Sequence, residues 1–268
     1  MFANAALLLA LCCGPAEAAT ESTSGFASSD NFVVYAPTQE LADEVLKKSE
    51  QLRTKLARAW LDKELAPGVG VAMIYVSLSL TEDTGFTWPK DDPAKKYHSV
   101  TLKSSRDKVV GVTLAHELTH VILATEFGGR LPRWADEGIA CFQNDQELRN
   151  SLRESLRGLS RAERWPSLEA VLRRPGNTPD NQEFYAVALS LTQYLLELDE
   201  PSVFFQFALE GKDQGWEHAA QRHYKFRSLE DLQQRWQSWA VKSLRLAERR
   251  AASPIGIGSA RSSPAPAP

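Results

Sequence analysis

Two periods of hydrophobic residues run along this chain, and the point where one gives way to the other sets the architecture. "NFVVYAP" (31–37) is a short β-prone run closed by Pro37, and "VAMIYVS" (71–77) is a buried-strand signal set off by the breaker "PGVG". "HSVTLKS" (98–104) alternates His98, Val100 and Leu102 against Ser99, Thr101 and Lys103, the pattern of a half-exposed strand. Such a strand is also a place where an extended peptide can add as a further strand. Between the first two runs, Leu41, Val45, Leu52, Leu56 and Trp60 recur at helical spacing after Thr38, an N-cap residue, and predict a helix of about 20 residues. "TEDTGFTWPKDDPAKK" (81–96) is rich in turn residues and reads as a loop with two exposed aromatics.

From residue 107 onward the period is helical. One helix is expected from near Asp107 to about Phe127, ended by "GGRLP", and a second from near Trp134 after Pro132. "QELRNSLRESLRG", "SLEAVLRR", "EFYAVALSLTQYLLEL", "PSVFFQFALEG" and "EHAAQRHY" carry helical periodicity or composition. Ser228 with Asp231 opens a last helix through a capping-box pattern. Strands first and helices afterwards predict an α+β fold: a small N-terminal sheet with its helices, then an all-helical C-terminal half.

The ends read differently. "MFANAALLLALCCGPAEAA" (1–19) has a short apolar run followed by small residues, the pattern of a secretory signal. Residues 20–30 are polar and expected to be loose, and the Pro-, Ser- and Ala-rich 249–268 to be disordered. A single domain is thus expected over 31–248, with 31–145 carrying the sheet and 146–248 the helical part. No later stretch is apolar enough to cross a membrane, so an exported product without stable membrane insertion is expected.

A formal net charge of −3 gives no electrostatic footprint for nucleic acid. With Cys12 and Cys13 in the leader, Cys141 stands alone and no internal disulfide is expected.

Two of the five histidines lie four apart in "TLAHELTHVI" (113–122). On a helix His116 and His120 share one face, so both imidazoles reach one ion at about 2.0–2.1 Å. Glu117 is rotated about 100° from His116, beside the ion rather than on it, where it can take a proton from a water that the metal polarises. A hydrolytic zinc site takes three protein ligands. Glu137, in "LPRWADEGIA", is the natural third, because the turn at Gly128 and Gly129 lets the chain double back. One zinc ion held by His116, His120 and Glu137 is the expected cofactor.

"HELTH" followed by "LPRWADEGIA" resembles the gluzincin metallopeptidases, especially the peptidase-MA-like domains of exported bacterial proteins. The resemblance implies a zincin-like sheet with its active-site helix, a secreted or periplasmic location, and a peptide or protein substrate. "FYAVALSLTQYLLE" is similar to the helix of aminopeptidase-N-like enzymes whose Tyr begins a Y-x-K-G pattern. That likeness implies an oxyanion-donating role for Tyr185, although Val187 and Ala188 replace the Lys and Gly. The spacer between His120 and Glu137 is shorter than in those aminopeptidases, and no G-x-M-E-N string is present. An endopeptidase is therefore expected.

Other residues carry paired readings. Cys141, one turn after Glu137, is a fourth thiolate ligand or, preferably, a small buried apolar residue. Asp136 either orients a ligand histidine or is a solvated carboxylate. His218, His223 and Tyr224 form a second group able to hold an oxyanion or simply a polar helix face. Trp216, Trp236 and Trp239 are at helical spacing and read as core. A non-catalytic binding or scaffold protein that retains the zinc site is the alternative to the enzyme.

Overall fold

A computed structural model of the protein describes residues 24–88, 97–175 and 181–252. Strands β1 (Gly25–Ser28), β2 (Phe32–Ala36), β3 (Ala72–Leu78), β4 (Thr84–Trp88) and β5 (His98–Ser104) form one mixed sheet in the order β1-β2-β3-β5-β4. The three central strands are parallel, and β1 and β4 run antiparallel along the two edges. Parallel strands need a crossover, and α1 (Gln39–Leu61) supplies it between β2 and β3. Thr38 caps α1 by accepting from the Leu41 amide at 3.2 Å. Leu41, Val45, Leu52 and Leu56 of α1 are buried in the sheet-side core, as their spacing requires.

The helical part follows α2 (Arg106–Val109) and α3 (Val112–Phe127). It comprises α4 (Arg133–Ala140), a 3-10 turn Cys141–Gln143, α5 (Gln146–Arg161), α6 (Leu168–Leu172), α7 (Gln182–Leu198), α8 (Pro201–Gln214), α9 (Trp216–Tyr224) and α10 (Leu229–Ala252). The α+β division into a sheet-bearing N-terminal part and a helical C-terminal part is as the patterns predict.

Two apolar clusters meet at α3. Leu114, Leu118, Val121 and Ile122 join the sheet-side core, whereas Leu123 joins the helical core with Trp134, Phe204, Phe207 and Trp236. A helix covered on both sides is apolar nearly all round. That burial makes α3 a rigid support for His116 and His120. Trp216 and Trp236 are buried in the helical core and Trp239 packs against it, so these rings are core as expected.

Several local expectations change. Residues 25–28, expected to be loose, form β1, whose outer edge at Phe26 is tied down by Gln39: its Oε1 accepts from Phe26 N at 3.1 Å and its Nε2 donates to Phe26 O at 2.8 Å. The predicted loop 81–96 contains β4, because Thr, Phe and Trp suit a pleated edge strand despite the turn residues around them. β5 pairs with β3 on one side and β4 on the other, so it has no free edge for an added peptide. The helix expected from Asp107 to Phe127 is broken at Gly111. There a Cβ would stand 2.6 Å from the Asp107 carbonyl oxygen, so the kink needs glycine. The expected signal at 1–19 lies outside the described residues. So does the tail beyond 252, although its expected start at 249 still belongs to α10. Among the described residues no helix is long and apolar enough to cross a membrane.

Candidate metal centre

The two histidines and Glu137 converge as their spacing predicts. From consecutive turns of α3, the His116 and His120 rings stand with centroids 5.0 Å apart. Gly128 and Gly129, at φ 60° and 70°, turn the chain back into α4. Gly138 then lets α4 lie against α7, since a Cβ there would meet Thr192 Oγ1 at 2.1 Å. This close approach seats Glu137 opposite the histidines. Its Oε2 is 3.7 Å from His116 Nε2 and 3.6 Å from His120 Nε2, and the three donor atoms lie within 4.8 Å of one another.

The hydrogen bonds behind the histidines decide which nitrogens face the centre. Asp136 Oδ2 accepts from His120 Nδ1 at 2.9 Å, and Asn144 Oδ1 accepts from His116 Nδ1 at 3.2 Å. Both rings therefore turn an unprotonated Nε2 toward Glu137 when they are neutral, the tautomer a metal ligand needs. Asp136 is thus bonded to His120, the contact that the orienting reading requires, rather than left to solvent alone. Asn144 was not legible as a partner in the sequence, because its approach depends on the 3-10 turn at Cys141–Gln143.

One atom tests whether these residues suit a cation. Glu137 Oε2 is buried and has no hydrogen-bond partner. An unpartnered buried carboxylate oxygen is costly, and at 3.6–3.7 Å its contacts with the imidazoles are electrostatic rather than hydrogen bonds. A metal ion between the three donors satisfies it. The group could thus hold a metal ion, and its donor set is that of a three-ligand site.

The electrostatics agree. Burial pushes the His120 imidazolium down, but Asp136, Glu137, the Asp136 hydrogen bond and Glu117 outweigh it and raise its pKa to about 10. A ring in that negative field holds a cation strongly, whether proton or metal. Burial pushes the Glu137 carboxyl up, yet His120, His116 and Arg133 hold it below the usual carboxylate range. Burial and the charge of Glu137 push the Cys141 thiol up to about 12, so it stays neutral and serves as a small buried residue.

Glu117 is buried beside the centre and belongs to a second contact, with the edge strand. Thr87 Oγ1 donates to Glu117 Oε2 at 2.6 Å and approaches its main-chain oxygen at 3.2 Å. Gly85, on the same face of β4, leaves room for the carboxylate: a Cβ there would lie 2.4 Å from Glu117 Oε1. The alternation Gly85–Phe86–Thr87 was the available signal for this strand.

A cavity of about 660 Å³ opens beside the centre, lined among others by Gly85, His116, Glu117, Cys141, Asn144 and Tyr185. Tyr185, in the first turn of α7, is thus brought to the same cavity as His116 and Glu117. His218 and His223 are not among its lining residues. They face Glu210 of α8 instead, at 3.1 Å and 2.6 Å, while the Tyr224 hydroxyl is buried and unpartnered. Among the residues lining the cavity, none belongs to that second group.

Comparison with protein-family models, with curated proteins and with solved structures gave no match. The reading of this site rests on its own geometry.

Proposed function

We propose that this protein is an exported, zinc-dependent endopeptidase of the gluzincin type. The observation that carries the reading is Glu137 Oε2, a buried carboxylate oxygen without a hydrogen-bond partner, aimed at two imidazole nitrogens whose opposite faces are already hydrogen-bonded. Two nitrogen donors and one carboxylate suit zinc with one position left open. Zinc held there supplies Lewis acidity, polarising a carbonyl and the attacking water.

The remaining chemistry belongs to the chain. Glu117, oriented by Thr87, accepts the proton of the attacking water and delivers it to the leaving amine. Tyr185 donates a hydrogen bond from its hydroxyl to the oxygen on which charge develops. β4, whose outer edge has no strand partner among the described residues, is the place for an extended substrate, because its residues Gly85 and Thr87 lie against Glu117. This is the role expected earlier of residues 98–104. The leader-like 1–19 supports export, and the net charge of −3 supports a peptide rather than a nucleic-acid partner.

Metal analysis and digestion of a peptide library by the purified protein test the reading. One zinc per chain and cleavage of internal peptide bonds are expected. Glu117→Gln should keep the metal and lose about 10²–10⁴-fold in turnover, since an amide takes no proton. His116→Ala/His120→Ala should lose the metal and melt at lower temperature, because a ligand of the native state stabilises it. Full occupancy in that double variant defeats the site. Metal binding without any peptide cleavage leaves the binding-protein alternative.

A further inference from the structure

The face of the sheet turned away from α1 and α3 is built unlike an ordinary solvated surface. Register places Phe26, Tyr35, Tyr75, Thr101 and Phe86 in one row across all five strands. The four rings are exposed at 50%, 38%, 40% and 48%. Tyr35 and Tyr75 stack at 5.3 Å, Phe26 leans on Tyr35 at 5.5 Å, and Phe86 meets Trp88 edge-on at 4.5 Å. In the neighbouring row Met73 stands between Val33 and Ser99, with Trp88 at its end. Lys103 is the one charged residue among the outward positions of the strands, and its ammonium is held by Glu82 at 2.7 Å.

Aromatic residues and methionine without free charge are the composition of an interface centre, and contiguous exposed apolar surface of this kind marks a docking site. From this we infer that the outer sheet face pairs with the same face of a second copy of this chain. A two-fold axis sets a surface against itself, so any net charge on it would repel its own image. Among the described residues, the outward strand positions carry none unpaired. Strands about 4.8 Å apart with a rise of about 3.3 Å per residue give it on the order of 500 Å² per copy. The pair then buries on the order of 1,000 Å², the lower bound for a specific interface and the scale of a weak, reversible dimer. Two such sheets pack face to face about 10 Å apart, with their side chains interdigitating. The catalytic cavity lies on the α3 side of the sheet, so the pairing leaves it open. The inference is independent of the peptidase reading.

Sedimentation equilibrium of the full chain tests it, with Tyr75→Glu and Phe86→Lys as charge insertions on the face. Leu198→Glu, in the helical half, serves as an exposed control. The wild type and the control should dimerise at concentrations up to about 100 µM, as an interface of this size allows. Each insertion should weaken association by about 30-fold or more, the cost of losing a central aromatic anchor. Melting temperature and metal content should be unchanged. A wild type that stays monomeric over that range overturns the inference, as does a dimer indifferent to both insertions. If only a chain beginning at residue 24 dimerises, the protein's own N-terminal residues cover the face, and the second copy is the wrong occupant.

Discussion

Thr87 and Glu117 are joined by a 2.6 Å hydrogen bond that ties the edge strand of the sheet to the helix bearing both histidines. The bond holds the carboxylate in one orientation beside the His116/His120/Glu137 group, which could hold a metal ion. Thr87→Val removes the donor and keeps the shape. Hydrogen bonds to charged groups contribute about 1.5–3 kcal/mol, so a fall in kcat of about 10- to 100-fold is expected, with full metal content. Kinetics and metal analysis on the same preparation check it. Unchanged turnover would mean that Glu117 is oriented by something else.

The partners of the two candidate ligand histidines differ: Asp136 offers a carboxylate and Asn144 an amide oxygen. Removing either should weaken metal binding by about 10–100-fold, the usual effect of losing a group that orients a ligand. Asp136→Asn should cost more than Asn144→Leu, because the charge of Asp136 also favours the cation. Competition with a chromogenic chelator measures both. Equal wild-type affinity in the two variants would show that α3 alone positions the rings.

Tyr185→Phe keeps the ring and its packing against Phe184 at 5.8 Å. A hydroxyl aimed at a developing oxyanion acts in the transition state, so kcat should fall about 10²–10³-fold with little change in KM. Fold and metal content should survive. A variant with normal turnover assigns Tyr185 to packing.

Asp83, at the cavity mouth, carries a pH dependence whose sign can be worked out. Burial pushes its carboxyl up, but hydrogen bonds from Lys108, Ser104 and Thr113 hold it below the ordinary carboxylate value. A carboxyl lowered in the fold stabilises it above the unfolded pKa, and that contribution is lost as the pH falls through the folded value. Asp83→Asn should therefore melt below wild type near neutral pH, by about 1–3 °C for a solvent-screened pair. The gap should close as the pH falls through the lowered folded value, where the wild-type carboxyl is protonated too. Calorimetry at several pH values reads it; a gap that persists in acid would assign the effect to packing.

The sequence by itself determined what depends on local period and short-range geometry. The strands at 32–36 and 72–78, the long first helix and the helical C-terminal part follow from spacing and caps. His116 and His120 share a face because they are four apart on one helix, and glycines at 128 and 129 permit the return that brings in Glu137. Tertiary structure decided what depends on partners distant in sequence. β4 was hidden among turn residues because an edge strand takes half its definition from the strand beside it. β5 lost its free edge for the same reason, since pairing on both sides is invisible in its own alternation. Asn144, Thr87 and Gly85 carry no local signal of their roles. Their contacts with His116 and Glu117 exist only because α3 is clamped between the sheet and the helices, and two apolar cores fix that position.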